Sequence, residues 1–221
     1  MWLELLQDTS WQMRYGERFA LEGVVSVLQP ELSIEVGTAD GGSLRRIAAH
    51  SREVHSFDIA PRVAEIVAPI PNAHAHIGDS RETLPAVLDE FERTGRNVDF
   101  ALLDGDHTSD GIRHDLQTVL ESGACRKTVV LMHDTANDDV RRGIEELDLA
   151  HHPKVTLTMP DFVPGRLVVK DHMYSRQCWN GLGLVLVEAD REPHPAIVEV
   201  DHEDMPLVYR LARERLEAAE R

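Results

Sequence analysis

Two short runs of this sequence gather residue types that do chemistry: Asp104-Gly105-Asp106-His107 and His133-Asp134. Each follows an almost wholly apolar stretch, residues 98–103 and 128–132, of the kind found inside a parallel sheet. Carboxylates and imidazoles at the ends of neighbouring strands can converge above the sheet. Clustered oxygen ligands with open positions suit a hard divalent cation such as Mg²⁺. Asp106 is free either to orient a water or to face solvent.

In a third run, residues 33–43, a short apolar strand carrying Glu35 leads into a glycine-rich turn. Glycine serves where φ is positive, or where the backbone lies too close to a neighbour for a Cβ. The helix expected next offers its first amides to hydrogen-bond acceptors and negative charge. The spacing Glu35-x-Gly37-x-x-x-Gly41 differs from the dinucleotide fingerprint Gly-x-Gly-x-x-Gly. Asp58 closes the next strand, where a carboxylate can accept both hydroxyls of a ribose. Gly78-Asp79-Ser80 closes the third, with Ser80 the expected N-cap of the following helix.

The elements that must hold these groups follow from periodicity and punctuation. Strands at 31–36, 53–57, 73–77, 98–103 and 128–132 alternate with helices near 44–50, 62–68, 80–91, 109–122 and 138–149, after a helix over 17–28. Residues 155–158, 167–170 and 182–188 are strand-like, with Pro160, Pro164 and Gly165 marking a turn between the first two, and 207–219 form a charged terminal helix. The pattern predicts an α/β fold, a doubly wound, mostly parallel seven-stranded sheet with an antiparallel edge strand. Ligands bind such sheets at the carboxyl ends of the strands, where every polar run above falls. No repeat or linker divides the chain, so a single domain over 1–221 is expected: a helical segment 1–30, a core 31–150, then the antiparallel edge and terminal helix 151–221.

A formal net charge of −16 argues against a nucleic-acid partner and against an anionic membrane surface. Cys125 and Cys178 are too few for a disulfide framework and fit a reduced compartment. No leader or membrane-length apolar run is apparent, which makes the cytoplasm the expected location. His50, His55, His74, His151, His152, His194 and His202 read as surface residues. Trp2, Trp11 and Tyr15 stand near the N-terminus, where the last two either cover a ligand or simply pack. His172, Tyr174 and Trp179 are candidates for the wall of an acceptor pocket.

The glycine run resembles the first motif of class I S-adenosylmethionine (SAM)-dependent methyltransferases, where the turn passes under the methionine portion of SAM. That resemblance implies cofactor binding by Glu35, Gly37, Thr38, Gly41, Ser43, Asp58, Asp104 and, at the adenine, Gly78, Asp79 and Ser80. Together with the two acid–histidine runs the sequence resembles the metal-dependent small-molecule O-methyltransferases, such as caffeoyl-CoA and macrolide-sugar methyltransferases, over residues 35–134. The likeness makes Asp104, His133 and Asp134 the ligands of Mg²⁺ or Mn²⁺, and makes His107, in the pattern Asp-Gly-x-His, the general base. It departs from the family at His133, where a carboxylate is usual; His133 is then either a ligand or a neutral residue behind the ligands. The implied activity is methylation of a hydroxyl on a small molecule, with a sugar or glycosylated natural product as the acceptor class. Self-association is left open. A nicotinamide-dependent oxidoreductase is the rival reading, disfavoured by the glycine spacing and the second acid–histidine run. A metal-dependent phosphohydrolase usually carries its His-Asp pair on helices, and a non-catalytic SAM-binding domain would not need Asp104, His107 and Asp134.

Overall fold

The sheet's central strands read as unbroken apolar runs because both of their faces are covered. In the computed structural model, which describes residues 8, 10–169, 174–190, 196–198 and 204–219, β1 (Leu32–Val36) and β4 (Phe100–Leu103) are buried at every position. The further strands are β2 (Glu53–Asp58), β3 (Ala73–Ile77), β5 (Lys127–His133), β6 (Val155–Val163), β7 (Arg166–Leu167), β8 (Cys178–Trp179), β9 (Leu182–Glu188) and β10 (Ile197–Val198). The helices are α1 (Tyr15–Leu28), α2 (Gly42–His50), α3 (Val63–Val67), α4 (Ser80–Arg93), α5 (Ser109–Glu121), α6 (Asp138–Glu145) and α7 (Asp204–Ala219). Trp2, Lys170, His172, His194 and His202 lie outside the described residues.

The main sheet runs β10-β6-β9-β5-β4-β1-β2-β3, and β7 pairs with β8 apart from it. It is the expected doubly wound, mostly parallel sheet, seven strands plus the two-residue β10. The one reversed strand, β9, is not at the edge: it lies between β5 and β6, antiparallel to both. Its run Leu182-Gly183-Leu184-Val185-Leu186-Val187 has no polar face to present to solvent, so an interior place suits it. Pro160 sits within β6 rather than in a turn. It falls where the pairing with β9 slips between Met159 and Val163, so β9 asks no ladder hydrogen bond of its nitrogen, and among the described residues β10 pairs only with Leu157 and Thr158. The turn is carried by Pro164 and Gly165 alone.

Apolar faces of α4, α5 and α6 (Leu84, Leu88, Ile112, Leu116, Val140, Ile144) pack on one side of the sheet. Those of α1, α2 and α3 (Leu21, Val25, Leu44, Ile47, Val63, Val67) pack on the other. From β1 the chain steps out through β2 and β3, and from β4 in the opposite direction through β5. The strand order therefore reverses between β1 and β4, which opens a crevice at their carboxyl ends. Cys125 and Cys178 are buried free thiols. Among the described residues no helix is long and apolar enough to cross a membrane. His55 is not on the surface as expected: it is 8% exposed, turned beneath Phe91 of α4.

Candidate active site

The glycine turn is built by contacts below it. Gly37 has φ +84° and donates its N–H to the Phe57 carbonyl at 2.8 Å, while the Asp104 amide bonds the Val36 carbonyl at 2.8 Å. Asp58 stabilises the turn from β2, its Oδ2 accepting from the Thr38 and Ala39 amides at 2.9 and 3.1 Å and its Oδ1 from Ala60 at 2.8 Å. Glu35 lies beneath, wholly buried, accepting the Ser43 hydroxyl at 2.5 Å. Burial pushes its carboxyl up to about 8, against the opposing hydrogen bonds of Ser43 and Thr38. Gly41 packs on Ile66.

Above the turn is a cavity of about 800 Å³. Gly37, Thr38, Ser43, Asp58, Gly78, Asp79, Ser80 and Asp104 all line it, whereas Glu35 and Gly41 support the turn from outside the cavity. The N-cap of α4 is Asp79 rather than Ser80: its carboxylate accepts from the Arg81 amide, and the Ser80 hydroxyl is engaged with buried Asp115. Trp11 is buried against Gly42 and forms part of the wall, while Tyr15 is exposed and does not. Asp106 lines the cavity but has a local task, accepting from the Thr108 amide and hydroxyl just ahead of α5.

At the other end of the cavity the ends of β4 and β5 meet as expected. Asp104, His107, His133 and Asp134 each offer a ligand atom, all within 4.8 Å of one another. His133 Nδ1 stands 2.9 Å from Asp104 Oδ1 and 3.3 Å from Asp134 Oδ2. His107 Nε2 is 3.3 and 3.0 Å from the same two oxygens. Asp134 adopts φ +55° and its Oδ1 accepts the Asn180 amide at 2.5 Å. These carboxylates raise His107 to about 10, by accepting hydrogen bonds from it at Asp104 first and then Asp134, against desolvation. Burial opposes charge on His133, but Asp104 outweighs it and holds the imidazole well above its ordinary range. Burial likewise opposes ionisation of Asp134, yet hydrogen bonds from His107 and His133 keep it below the usual carboxylate range. Two carboxylates thus favour the protonated form of both imidazoles, at a place where a cation could stand in for the protons.

Sequence reasoning missed Glu17. It is 2% exposed in the first turn of α1, with Oε1 3.2 Å from His133 Nε2 and accepting the Gly181 amide at 2.6 Å. Its Oε2 accepts from the Arg14 amide at 2.5 Å. An acid at the start of an amphipathic helix was the only local signal, and it says nothing of a partner at the end of β5.

Residues 34–135 match a family described as a methyltransferase domain. No curated protein sequence matches the chain. Its Rossmann-like fold is shared with an O-methyltransferase from Bacillus cereus solved with SAH (16% identity, 84% of this chain and 90% of that one, TM-score 0.59). It is shared equally with TomG, an O-methyltransferase of tomaymycin synthesis from Streptomyces achromogenes solved with SAM (16% identity, 80% and 82%, TM-score 0.59). The N-methyltransferase NodS from Bradyrhizobium japonicum is similar as well (13% identity, 84% and 95%, TM-score 0.54). Since both O- and N-methyltransferases share it, the fold does not choose the atom methylated. The far wall of the cavity includes Tyr174 and Trp179, with the Trp179 and His107 rings in a T-shaped pair at 5.6 Å and Tyr174 at 4.8 Å from Trp179.

Proposed function

We propose that the protein is a SAM-dependent methyltransferase that methylates a hydroxyl oxygen of a small molecule with the help of a divalent cation. The observation that carries this reading is the cluster Asp104, His107, His133 and Asp134 in the same cavity as the glycine turn and Asp58. At about 800 Å³ the cavity lies in the range of ligand sites, with room for a nucleoside and an acceptor together. The residues fit both groups. Asp58 Oδ1 keeps a lone pair beyond the one the Ala60 amide uses, while Oδ2 is filled by the Thr38 and Ala39 amides. The donor set of two carboxylates and an imidazole, with Glu17 behind the imidazole, is that of a cation site. Glu17 at Nε2 favours His133 as a ligand through Nδ1.

SAM supplies a methyl group on a sulfonium, and a divalent cation supplies Lewis-acid stabilisation of negative charge on oxygen. The chain supplies the rest. Asp58 and the turn fix one reactant, and the aromatic side chains of Tyr174 and Trp179 on the cavity wall suit the ring of the other, a sugar or glycosylated acceptor. In-line transfer depends chiefly on such positioning. His107 Nε2 faces the cluster and takes the hydroxyl proton, a contribution of about 10²–10⁴-fold. Positive charge at Asp104 and Asp134 removes the field that holds its proton.

The reading predicts saturable binding of SAM and none of NAD by titration calorimetry. Asp58→Asn, which keeps one oxygen for the Thr38 and Ala39 amides, should weaken SAM by about 1.5–3 kcal/mol. Activity should vanish with a chelator and return better with Mn²⁺ or Co²⁺ than with Mg²⁺, because an imidazole is a borderline ligand. His133→Glu should turn that preference toward Mg²⁺. Activity that survives exhaustive chelation would sink the cation's part, and NAD binding in place of SAM would sink the whole reading.

A second expectation concerns Glu17. Glu17→Gln should lower Mn²⁺ affinity by about 10–100-fold, since it removes the carboxylate that orients a ligating imidazole, while leaving SAM affinity unchanged. Equal Mn²⁺ affinity in parent and variant would place His133 outside the ligand set.

A further inference from the structure

The outer edge of the sheet carries a second gathering of ligand atoms, on none of the residues discussed so far for the reaction. Strands β2 and β3 pair in parallel with His55 opposite His74. Glu53 and His55 alternate on β2, His74 and His76 on β3, so all four project to one face. There Glu53 Oε1 lies 2.7 Å from His55 Nε2 and 3.6 Å from His74 Nε2, and the three ligand atoms fall within 4.8 Å of one another. Two donors on a tetrahedral Zn²⁺, each at about 2.0–2.1 Å, stand roughly 3.3 Å apart. The 3.6 Å contact lies within about 0.3 Å of that spacing, and the 2.7 Å contact must open by about 0.6 Å.

The surroundings orient the set. Arg96 Nη2 binds Glu53 Oε2 at 2.6 Å and leaves Oε1 turned to the two imidazoles. His55 Nδ1 meets His76 Nε2 at 2.8 Å, and the His76 ring is stacked between His55 and Phe57. A hydrogen bond on the far nitrogen is what fixes the tautomer and ring plane of a metal-binding histidine. His55 is buried, whereas the His74 side chain is half exposed and opens the point of convergence to solvent.

We propose that Glu53 Oε1, His55 Nε2 and His74 Nε2 form a second divalent-cation site, taking Zn²⁺, Co²⁺ or Ni²⁺ in preference to Mg²⁺. Two imidazoles and a single carboxylate give the borderline ligand set those ions favour. The ion clamps edge strand β3 to β2, and β3 leads directly into Gly78-Asp79-Ser80 on the cavity wall. The site shares no ligand with the cluster at Asp104 and stands whether or not that cluster binds metal.

Co²⁺ alone, added to the full chain, tests this by visible absorption and calorimetry. In Asp104→Ala, one Co²⁺ site should persist, and a hundredfold excess of Mg²⁺ should not displace it. Adding His74→Ala, at a half-exposed position whose loss leaves the fold intact by circular dichroism, should weaken that site at least about tenfold. Rescue by His74→Cys, whose thiolate also ligates Co²⁺, should restore absorption with added thiolate character. No Co²⁺ bound to Asp104→Ala, or the same isotherm with and without His74, overturns the proposal.

Discussion

Gly37→Ala is expected to cost about 4 kcal/mol or more of folding stability, enough to leave little native protein at 37 °C. A Cβ on Gly37 would stand 1.9 Å from the Asp104 carbonyl oxygen and 2.4 Å from its carbon, a clash with backbone that cannot rotate away. The sequence alone suggests that a side chain here would enter the cofactor's space. The structure instead sets it against β4, so the damage falls on the fold and on Asp104 before any ligand is bound. Gly95 provides the control. It too has positive φ, at +71°, but a Cβ there meets nothing within 4 Å. Gly95→Ala should therefore lose only the conformational cost of about 1–2 kcal/mol. Denaturant unfolding of the two variants side by side separates clash from conformation. Equal losses at both positions would mean that the turn moves freely off β4.

Raising the pH from 5 to 8 should destabilise the ligand-free protein by about 4 kcal/mol through Glu35 alone. The folded carboxyl holds its proton up to about 8, whereas the unfolded one gives it up near 4.5. Over that window the folded state binds more protons than the unfolded, so stability falls as pH rises and levels off above 8. Glu35→Gln keeps an acceptor for Ser43 and removes the titration. The variant should match the parent near pH 5 and exceed it by that same amount, about 4 kcal/mol, at pH 8. Unfolding free energies for the pair at both pH values check this, and parallel pH profiles would show that Glu35 ionises in place.

What could be read from sequence was whatever depends on neighbours along the chain. The apolar runs of β4 and β5 and the acid–histidine runs after them located the cluster, because parallel strands deliver their ends to one edge. The glycine spacing located the turn. Two readings failed for want of the third dimension. Ser80 is a good N-cap by type, but Asp79 one place earlier takes the role while Ser80 turns to Asp115, a choice made by packing against α5. His55 read as a surface residue because strand alternation does not say which face α4 covers. Glu17 was invisible for a different reason: its partner His133 lies far along the chain, and only the docking of α1 joins them.

The place of β9 has a consequence for a chain still emerging from the ribosome. Until residue 188 is out, β5 has no partner on its outer side, and a seven-residue, mostly buried strand stands as an open edge able to pair with another nascent chain. The same delay governs the chemistry. Asp134 at the tip of β5 takes its bond from the Asn180 amide, and Glu17 takes one from Gly181, both in the approach to β9. A ribosome-bound chain that stops short of β9 therefore holds the glycine turn complete and the acid–histidine cluster unfinished, so the cluster is completed only after residues 180 and 181 have emerged and β9 has docked.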